Sequence, residues 1–228
     1  MLPNISVDEA KVRIARRVAM EFKDGDVANL GIGIPSMVMD YVPKSVRVIL
    51  ETENGMLGMG PMAKEGEGTP DIIGAGGVRV TVLPGGSFFS SDVSFGLIRG
   101  GHIDITVLGT LQVDQEGNIA NWMIPGKLIP GMGGAMDLVT GARKVFVATL
   151  HTVKGKPKIV KRCSLPLTGK GVVNKIFTEL GVFEITPQGL VLVEIAPDTT
   201  LEDVREHTDA EFTVKEPLEM MKGVDVDG

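Results

Sequence analysis

Apolar residues near the start of the chain recur at the spacing of one helix face. The repeating positions are Val7, Ala10, Ile14, Val18 and Phe22. Ser6 followed by Glu9 forms the pattern of a capping box, and Gly25 suits the left-handed residue that ends a helix. These signals predict a helix over residues 6–23, with its arginines on the solvent side.

Further along the chain, the apolar pattern changes to short runs of β-type residues, which predict strands. The runs cover residues 27–31, 46–50, 78–83, 103–109, 144–150 and 190–195. A helical segment over residues 34–41 lies between the first two runs. Because strand–helix–strand order is typical of parallel pairing, the sequence predicts an α/β fold: a single domain with an open, mostly parallel central sheet flanked by helices.

The segments between these runs predict turns, a loop and shorter helices. The predicted segments are a loop over residues 54–71 and helices over 91–99, 172–180 and 201–206. Pro84 is expected to stop the strand that precedes it. We expect one domain over residues 1–228, with a short mobile C-terminal tail from about residue 208.

Composition and charge exclude several classes of function. A net charge of −6 over 228 residues, without a basic stripe, argues against nucleic-acid binding. Cys163 is the only cysteine and the three histidines lie far apart in the sequence, so neither a disulfide nor a metal site is predicted. There is no signal-peptide pattern and no apolar run of the ~18 residues that a membrane span needs. We therefore expect a cytoplasmic protein that binds no membrane.

Two glycine clusters lie where strands are predicted to give way to helices. Gly31 and Gly33 are placed where backbone N–H groups can face an anion, but the third glycine of a dinucleotide-binding motif is absent. Gly133 and Gly134 belong to a second cluster, where the lack of Cβ lets backbone amides approach a ligand. A packed turn at a helix start is the simpler interpretation of that cluster.

Two carboxylates follow the second predicted strand. Glu51 and Glu53 point to the same face of an extended chain, so the pattern does not choose between them. Asn54 and Gly55 allow a tight turn directly after Glu53. A carboxylate at the end of a buried strand is well placed for chemistry, although a solvated turn is the simpler interpretation of this stretch alone.

Six blocks in order along the chain point to a known family. Residues 53–61 read ENGMLGMGP, and the other blocks are residues 29–35, 94–104, 121–127, 131–139 and 165–169. Together they resemble the β subunit of the family I CoA-transferases, the 3-oxoacid CoA-transferases. The resemblance covers nearly the whole chain, which makes it far more specific than any single glycine pattern.

The resemblance implies a ping-pong exchange of CoA between two carboxylic acids, with Glu53 as the catalytic residue. Its carboxylate would attack an acyl-CoA thioester to give an acyl-glutamyl anhydride, and the CoA thiolate would then form a glutamyl-CoA thioester. A second acid would reverse these steps. The resemblance implies no permanently bound cofactor; coenzyme A acts as a substrate carrier.

The same resemblance assigns roles to the glycine clusters and the turn. The oxyanion glycine of the family falls on Gly134, beside Gly133, where a backbone N–H would stabilise the tetrahedral intermediates. The turn with Gly31 and Gly33 is expected to shape the same CoA cleft. Asn54 and Gly55, the other members of the signature, form the turn of the nucleophile.

The resemblance also implies a partner and leaves alternatives. Chains of this type act with an α subunit, usually as an α2β2 heterotetramer, on acyl-CoA and short-chain carboxylic acids such as acetoacetate, succinate, acetate or butyrate. Thr52 replaces the usual serine. Gly77 lies where many mitochondrial-type members have lysine, which favours acetate or butyrate over succinate. The alternatives are an acyl-CoA hydrolase or sugar-phosphate isomerase of similar fold, or a non-catalytic binding subunit.

Overall fold

A ten-stranded sheet runs through the part of the chain that the computed structural model describes, residues 5–64, 66, 69–74, 76–127 and 131–224. The helices are α1 (Val7–Ala19), α2 (Ile34–Met37), α3 (Ser91–Arg99), α4 (Ala135–Gly141) and α5 (Leu201–His207), with a 3-10 turn at Val38–Tyr41. The strands are β1 (Val27–Leu30), β2 (Ile49–Thr52), β3 (Met56–Met62), β4 (Val80–Phe88), β5 (Ile105–Leu108), β6 (Gln112–Asp114), β7 (Ile119–Ala120), β8 (Lys144–Ala148), β9 (Thr152–Val153), β10 (Lys156–Pro157), β11 (Ile159–Val160), β12 (Lys175–Phe177), β13 (Gly181–Thr186), β14 (Gly189–Ile195) and β15 (Thr213–Met220). None of these helices is long and apolar enough to span a bilayer.

The sheet is parallel at its centre, with an antiparallel strand on each side of that centre, and its outermost pair, β14 and β15, is parallel again. Its order is β15-β14-β13-β12-β8-β5-β1-β2-β3-β4. The run from β12 to β2 is parallel throughout, whereas β13 and β3 pair antiparallel with both of their neighbours. The predicted α/β fold with a mostly parallel central sheet is therefore confirmed. The central strands are buried, which explains their near-continuous apolar runs.

Helices cover both faces of the sheet and divide the core in two. On one face, Ile14 of α1 belongs to a buried cluster with Val107 and Phe146. On the other face, Ile98 of α3 belongs to a cluster with Leu108. Val107 and Leu108 are neighbours on β5, and successive strand residues point to opposite faces. Both faces of the central sheet are therefore covered by packed helices.

Helix α1 begins as predicted but buries one of its arginines. The Ser6 hydroxyl accepts from the Glu9 backbone N–H at 3.2 Å, and the Glu9 carboxylate accepts from the Ser6 N–H at 2.7 Å. The prediction that all the arginines face solvent is wrong for Arg17, which is buried and donates two hydrogen bonds to Glu194 at 2.6 and 2.7 Å. A buried charge requires such a partner, and Glu194 of β14 is distant in sequence.

The predicted loop over residues 54–71 is partly wrong, because residues 56–62 form β3. Strand β4 likewise continues through Pro84 instead of stopping there. Pro84 is tolerated because β4 is an edge strand, where a missing N–H costs little. Gly58 lets β3 approach β4 closely, since a Cβ there would lie 2.9 Å from the Cα of Gly86. Residues 65, 67 and 68 lie outside the described residues.

Two predictions in the C-terminal half are also wrong. Residues 172–180 do not form a helix; β12 lies there, between β8 and β13. The tail predicted from about residue 208 contains β15, which extends the sheet beside β14, and Met221 after it is buried in the core. Strand β12 pairs with the distant β8 as well as with β13, which follows it directly, and β15 pairs with β14 across α5. Local patterns do not reveal pairing across such intervals. Residues 225–228 lie outside the described residues.

Candidate active site

Glu53 lies directly after β2, at the carboxyl end of the parallel part of the sheet. Ligands of open α/β sheets commonly bind at this end of the strands. Glu53 is half-buried, and a tight turn follows it, with the Gly55 N–H donating to the Thr52 carbonyl at 2.9 Å. The Asn54 side chain accepts from the Thr52 hydroxyl and donates to the Ile73 carbonyl at 2.8 Å. Both ends of the turn are therefore fixed.

Gly55 is required for this turn. Its φ of 111° lies in the left-handed region, and a Cβ at this position would lie 2.0 Å from the carbonyl oxygen of Phe89. The Phe89 N–H donates to the Gly55 carbonyl at 3.0 Å, so the turn is held against the segment that precedes α3. A side chain at residue 55 would push this contact apart and move Glu53 with it.

Asn29 of β1 connects the two carboxylates that follow each other on β2. Its side-chain amide nitrogen donates to Glu51 Oε2 at 2.8 Å and to Glu53 Oε2 at 3.1 Å. Among the described residues, no donor reaches Glu53 Oε1 within hydrogen-bond distance. The two oxygens of Glu53 thus differ, because Asn29 holds only Oε2.

Glu51 lies deeper than Glu53 and is only 1% exposed. The Ser94 hydroxyl of α3 donates to Glu51 Oε1 at 2.5 Å. Burial raises the pKa of Glu51, and the charge of Glu53 raises it further, whereas the hydrogen bonds from Ser94 and Asn29 act in the opposite direction. The two carboxyl groups therefore differ in environment although they share a face of one extended segment.

Gly134, at the start of α4, lies against Glu53. A Cβ at residue 134 would lie 3.2 Å from Glu53 Cγ and 3.4 Å from the ring of Phe95. The fold thus brings together two of the predicted site residues, which are far apart in the sequence. Because no side chain intervenes, the backbone of residue 134 approaches the nucleophile position directly.

The other predicted glycines are placed differently. Gly31 packs against β5, with its N–H donating to the Val107 carbonyl at 2.8 Å. Gly33 and Gly133 have positive φ values of 86° and 51°, with no atom within 4 Å of where a Cβ would lie. None of the contacts found among the described residues joins these three glycines to Glu53, although Gly133 precedes Gly134 in the chain.

Sequence reasoning missed two side chains that hold the carboxylates. Asn29 and Ser94 are both buried, and neither was a candidate site residue. The available signal was polarity inside an apolar pattern: Asn29 interrupts the apolar run of β1, and Ser94 lies on the buried side of α3. A buried polar side chain needs a hydrogen-bond partner, and here the partner is the carboxylate pair.

The remaining reactive side chains lie apart from this site. Burial raises the pKa of the Cys163 thiol to about 12, with Asp114 adding to the effect, so a nucleophilic thiolate is disfavoured. Among the described residues, no group of three or more His, Cys, Asp or Glu side chains is arranged to hold a metal ion. Neither a reactive thiol nor a metal site among the described residues therefore competes with Glu53 as the candidate catalytic group.

Comparison with known proteins identifies the family. Residues 11–207 match the family described as Coenzyme A transferase. The chain belongs to this family. The match includes Asn29, Glu51, Glu53 and Gly134, so the site described above lies inside the part of the chain that defines the family.

Two bacterial relatives of the coenzyme A transferase family match nearly the whole chain. The beta subunit of the acetate CoA-transferase of Escherichia coli is 52% identical over 94% of this chain and 99% of its own length. A subunit of the succinyl-CoA:3-ketoacid coenzyme A transferase of Helicobacter pylori is 51% identical over 89% of this chain and 98% of its own. The predicted membership of the CoA-transferase β subunits, and with it the prediction of an enzyme that transfers CoA, is confirmed.

A solved structure shows the same fold. The acyl-CoA transferase YdiF of Escherichia coli O157:H7 matches with a TM-score of 0.75 at 22% identity, over 98% of this chain and 46% of that chain. This chain thus corresponds to about half of the YdiF chain. A structure of YdiF as a thioester complex with CoA matches with a TM-score of 0.73. At this identity the likeness concerns the fold alone.

Proposed function

We propose that this chain is the catalytic subunit of a CoA-transferase that moves CoA from an acyl-CoA to a free carboxylic acid through a glutamyl-CoA thioester on Glu53. The surroundings of Glu53 support this role most directly. Asn29 holds one carboxylate oxygen, the other has no donor among the described residues, and the backbone of Gly134 lies beside the side chain. A fixed carboxylate with one available oxygen suits a nucleophile.

Each step of the exchange has a group to perform it. Glu53 Oε1 attacks the thioester carbonyl, and the C–S bond breaks to give an anhydride and CoA thiolate. The thiolate attacks the Glu53 carbonyl carbon, and the first acid leaves as its carboxylate. A second acid then attacks the glutamyl-CoA thioester and reverses the sequence. The N–H of Gly134 would stabilise the oxyanion of each tetrahedral intermediate.

The proposed substrates are acyl-CoA with short-chain acids of the 3-oxoacid type, namely acetoacetate exchanged with acetate, butyrate or succinate. The names of the relatives above support both acetate and succinate. Gly77 favours acetate or butyrate over succinate, because this chain lacks the lysine that many mitochondrial-type members have there and therefore lacks its cation near the cleft.

We also propose that the chain works with an α subunit in an α2β2 assembly, since the two bacterial relatives are named as single subunits.

Trapping tests the role of Glu53. The chain, assembled with its α subunit, is incubated with acetoacetyl-CoA and then treated with borohydride, which reduces a glutamyl thioester. Peptide mass mapping should locate the modification on Glu53. E53Q should lose exchange activity by on the order of 10³-fold or more, because the amide is a poor nucleophile. E116Q, at an exposed glutamate in a distant turn, is the matched control and should retain it.

Four outcomes would contradict the proposal. Modification of another residue, or full activity of E53Q, would exclude Glu53 as the nucleophile. Release of CoA at the same rate without an acceptor acid would indicate a hydrolase. The absence of exchange with any acid, in an assembled complex that binds acyl-CoA, would indicate a non-catalytic role in binding.

A further inference from the structure

Glu51 is a buried carboxyl group whose described partners are all neutral. Ser94 lies 2.5 Å from Oε1 and Asn29 lies 2.8 Å from Oε2. Leu57 of β3, which pairs with Glu51 across the sheet, is apolar. Among the described residues, no lysine, arginine or histidine forms an ion pair with Glu51. A buried carboxylate without a cation is costly, since burial disfavours the charged form.

The charged group that acts on Glu51 is Glu53, and its charge has the same sign. The two carboxyl groups share the amide nitrogen of Asn29, at 2.8 and 3.1 Å. Burial raises the pKa of Glu51, and Glu53 adds to that rise. Because like charges repel, the charge of Glu53 favours the protonated form of Glu51.

The Ser94 hydroxyl can accept a hydrogen bond from a protonated Glu51. Its hydroxyl oxygen lies 3.2 Å from the Thr52 carbonyl as well as 2.5 Å from Glu51. A protonated Glu51 can therefore donate from Oε1 to Ser94, while Ser94 donates to Thr52. Glu51 Oε2 still accepts from Asn29 in this arrangement. Every hydrogen then has an acceptor, which a buried site requires.

We propose that Glu51 is a positioning residue that works as a neutral carboxylic acid, holding the Asn29 amide against Glu53 without adding a second negative charge. One Asn29 hydrogen is anchored on Glu51, so the other faces Glu53. An anionic Glu51 would oppose the oxyanion that forms beside Glu53 and repel the incoming carboxylate. The inference rests on the proposed role of Glu53 as the nucleophile.

Infrared spectroscopy tests the protonation state directly. The difference between wild-type and E51Q spectra at neutral pH should contain the C=O band of a neutral carboxylic acid. The difference spectrum is needed because burial also raises the pKa of Glu179. S94A should shift the band to higher frequency, since the acid loses the acceptor of its O–H. E206Q, at an exposed glutamate of α5, should leave the band unchanged.

The absence of this band from the wild-type difference spectrum would overturn the proposal. The measurement does not depend on the reaction of Glu53. Failure of the covalent mechanism would therefore appear in the trapping experiment and leave the infrared band in place. The two failures are thus distinguishable.

Kinetics of the assembled enzyme tests the positioning role. E51A should lower kcat by about 10- to 100-fold, because Asn29 loses its anchor and Glu53 its alignment. E51Q should recover most of that loss, since its amide donates to Ser94 and its oxygen accepts from Asn29 as the acid does. Loss of activity in E51Q equal to that in E51A would overturn the proposal and indicate that the charge of Glu51 is required.

Discussion

At the scale of single residues, the space beside Glu53 is available because residue 134 has no side chain. A Cβ there would lie 3.2 Å from Glu53 Cγ and 3.4 Å from its Cβ, so the carboxylate itself would have to move. Glu53 is also held by Asn29 and by the turn at Gly55, which leaves it little room. The reactive oxygen is therefore expected to tolerate no added atom at residue 134.

Substitution of this glycine should affect the reaction more than the fold. We expect G134A to lower kcat by about 10²-fold, because the methyl group displaces both the nucleophile and the proposed oxyanion donor. Steady-state exchange kinetics and a thermal melt of the same sample measure both effects. G96A is the matched control: it is exposed in α3 with no atom within 4 Å of the new Cβ. It should keep its activity and gain about 0.5–1 kcal/mol of stability.

At the scale of elements, the sequence predicts what local contacts determine. Helix α1 follows from its apolar spacing and capping box, and α3 and α5 lie within two residues of their predicted ends. Strand β12 is three residues long and depends on β8 and β13 for its hydrogen bonds. Strands β3 and β4 depend on glycines that fit against each other. No local pattern contains that information.

The residues of the candidate site also fall into two groups, those that the sequence identifies and those that only the fold reveals. Glu53 and Gly134 were identified through the family resemblance, and their proximity is a consequence of the fold. Asn29 and Ser94 were not identified, because a polar residue in a buried position signals a partner without naming it. The shared amide between Glu51 and Glu53 required three-dimensional distances.

His151 joins two elements through neutral hydrogen bonds. Its ring nitrogens lie 2.9 Å from the hydroxyl of Thr178, after β12, and 2.9 Å from that of Thr208, after α5. The side chain is fully buried, and burial, with a smaller effect of His207, lowers its pKa to about 3. A protonated ring has no acceptor nitrogen, so it would lose the hydrogen bond that its unprotonated nitrogen accepts, and it would place a charge in the core.

Stability should consequently fall in acid. Between pH 6.5 and about 3, the unfolded chain binds a proton at residue 151 that the folded chain does not, so this residue makes the free energy of unfolding decrease as pH falls. The slope from this group is about 1.4 kcal/mol per pH unit. Denaturant unfolding of H151Q should show a smaller slope in this range, whereas H102Q, at an exposed histidine, should retain the wild-type slope. An unchanged slope in H151Q would contradict the expectation.

At the scale of the whole molecule, the two edges of the sheet differ. Among the described residues, six of the thirteen large apolar side chains that are more than one-third exposed lie on β3 and β4 or in loops near them: Ile32, Met62, Ile73, Val78, Leu83 and Phe88. Phe88 pairs with Met56 across these strands and precedes the carbonyl that packs on Gly55. The β4 edge is thus both apolar and adjacent to the turn of Glu53. An exposed apolar patch of this kind is typical of an interaction surface.

The proposed α subunit should therefore bind at the β4 edge. F88D should weaken assembly with the α subunit, because burying an unpaired carboxylate in the interface is unfavourable. M220D, at an exposed methionine of β15 on the opposite edge, is the matched control. Both variants should fold, since each side chain is exposed in the chain alone, and co-purification followed by size-exclusion chromatography measures assembly. Loss of assembly in M220D but not in F88D would place the partner at the other edge, away from Glu53, and would exclude its contribution to the CoA cleft.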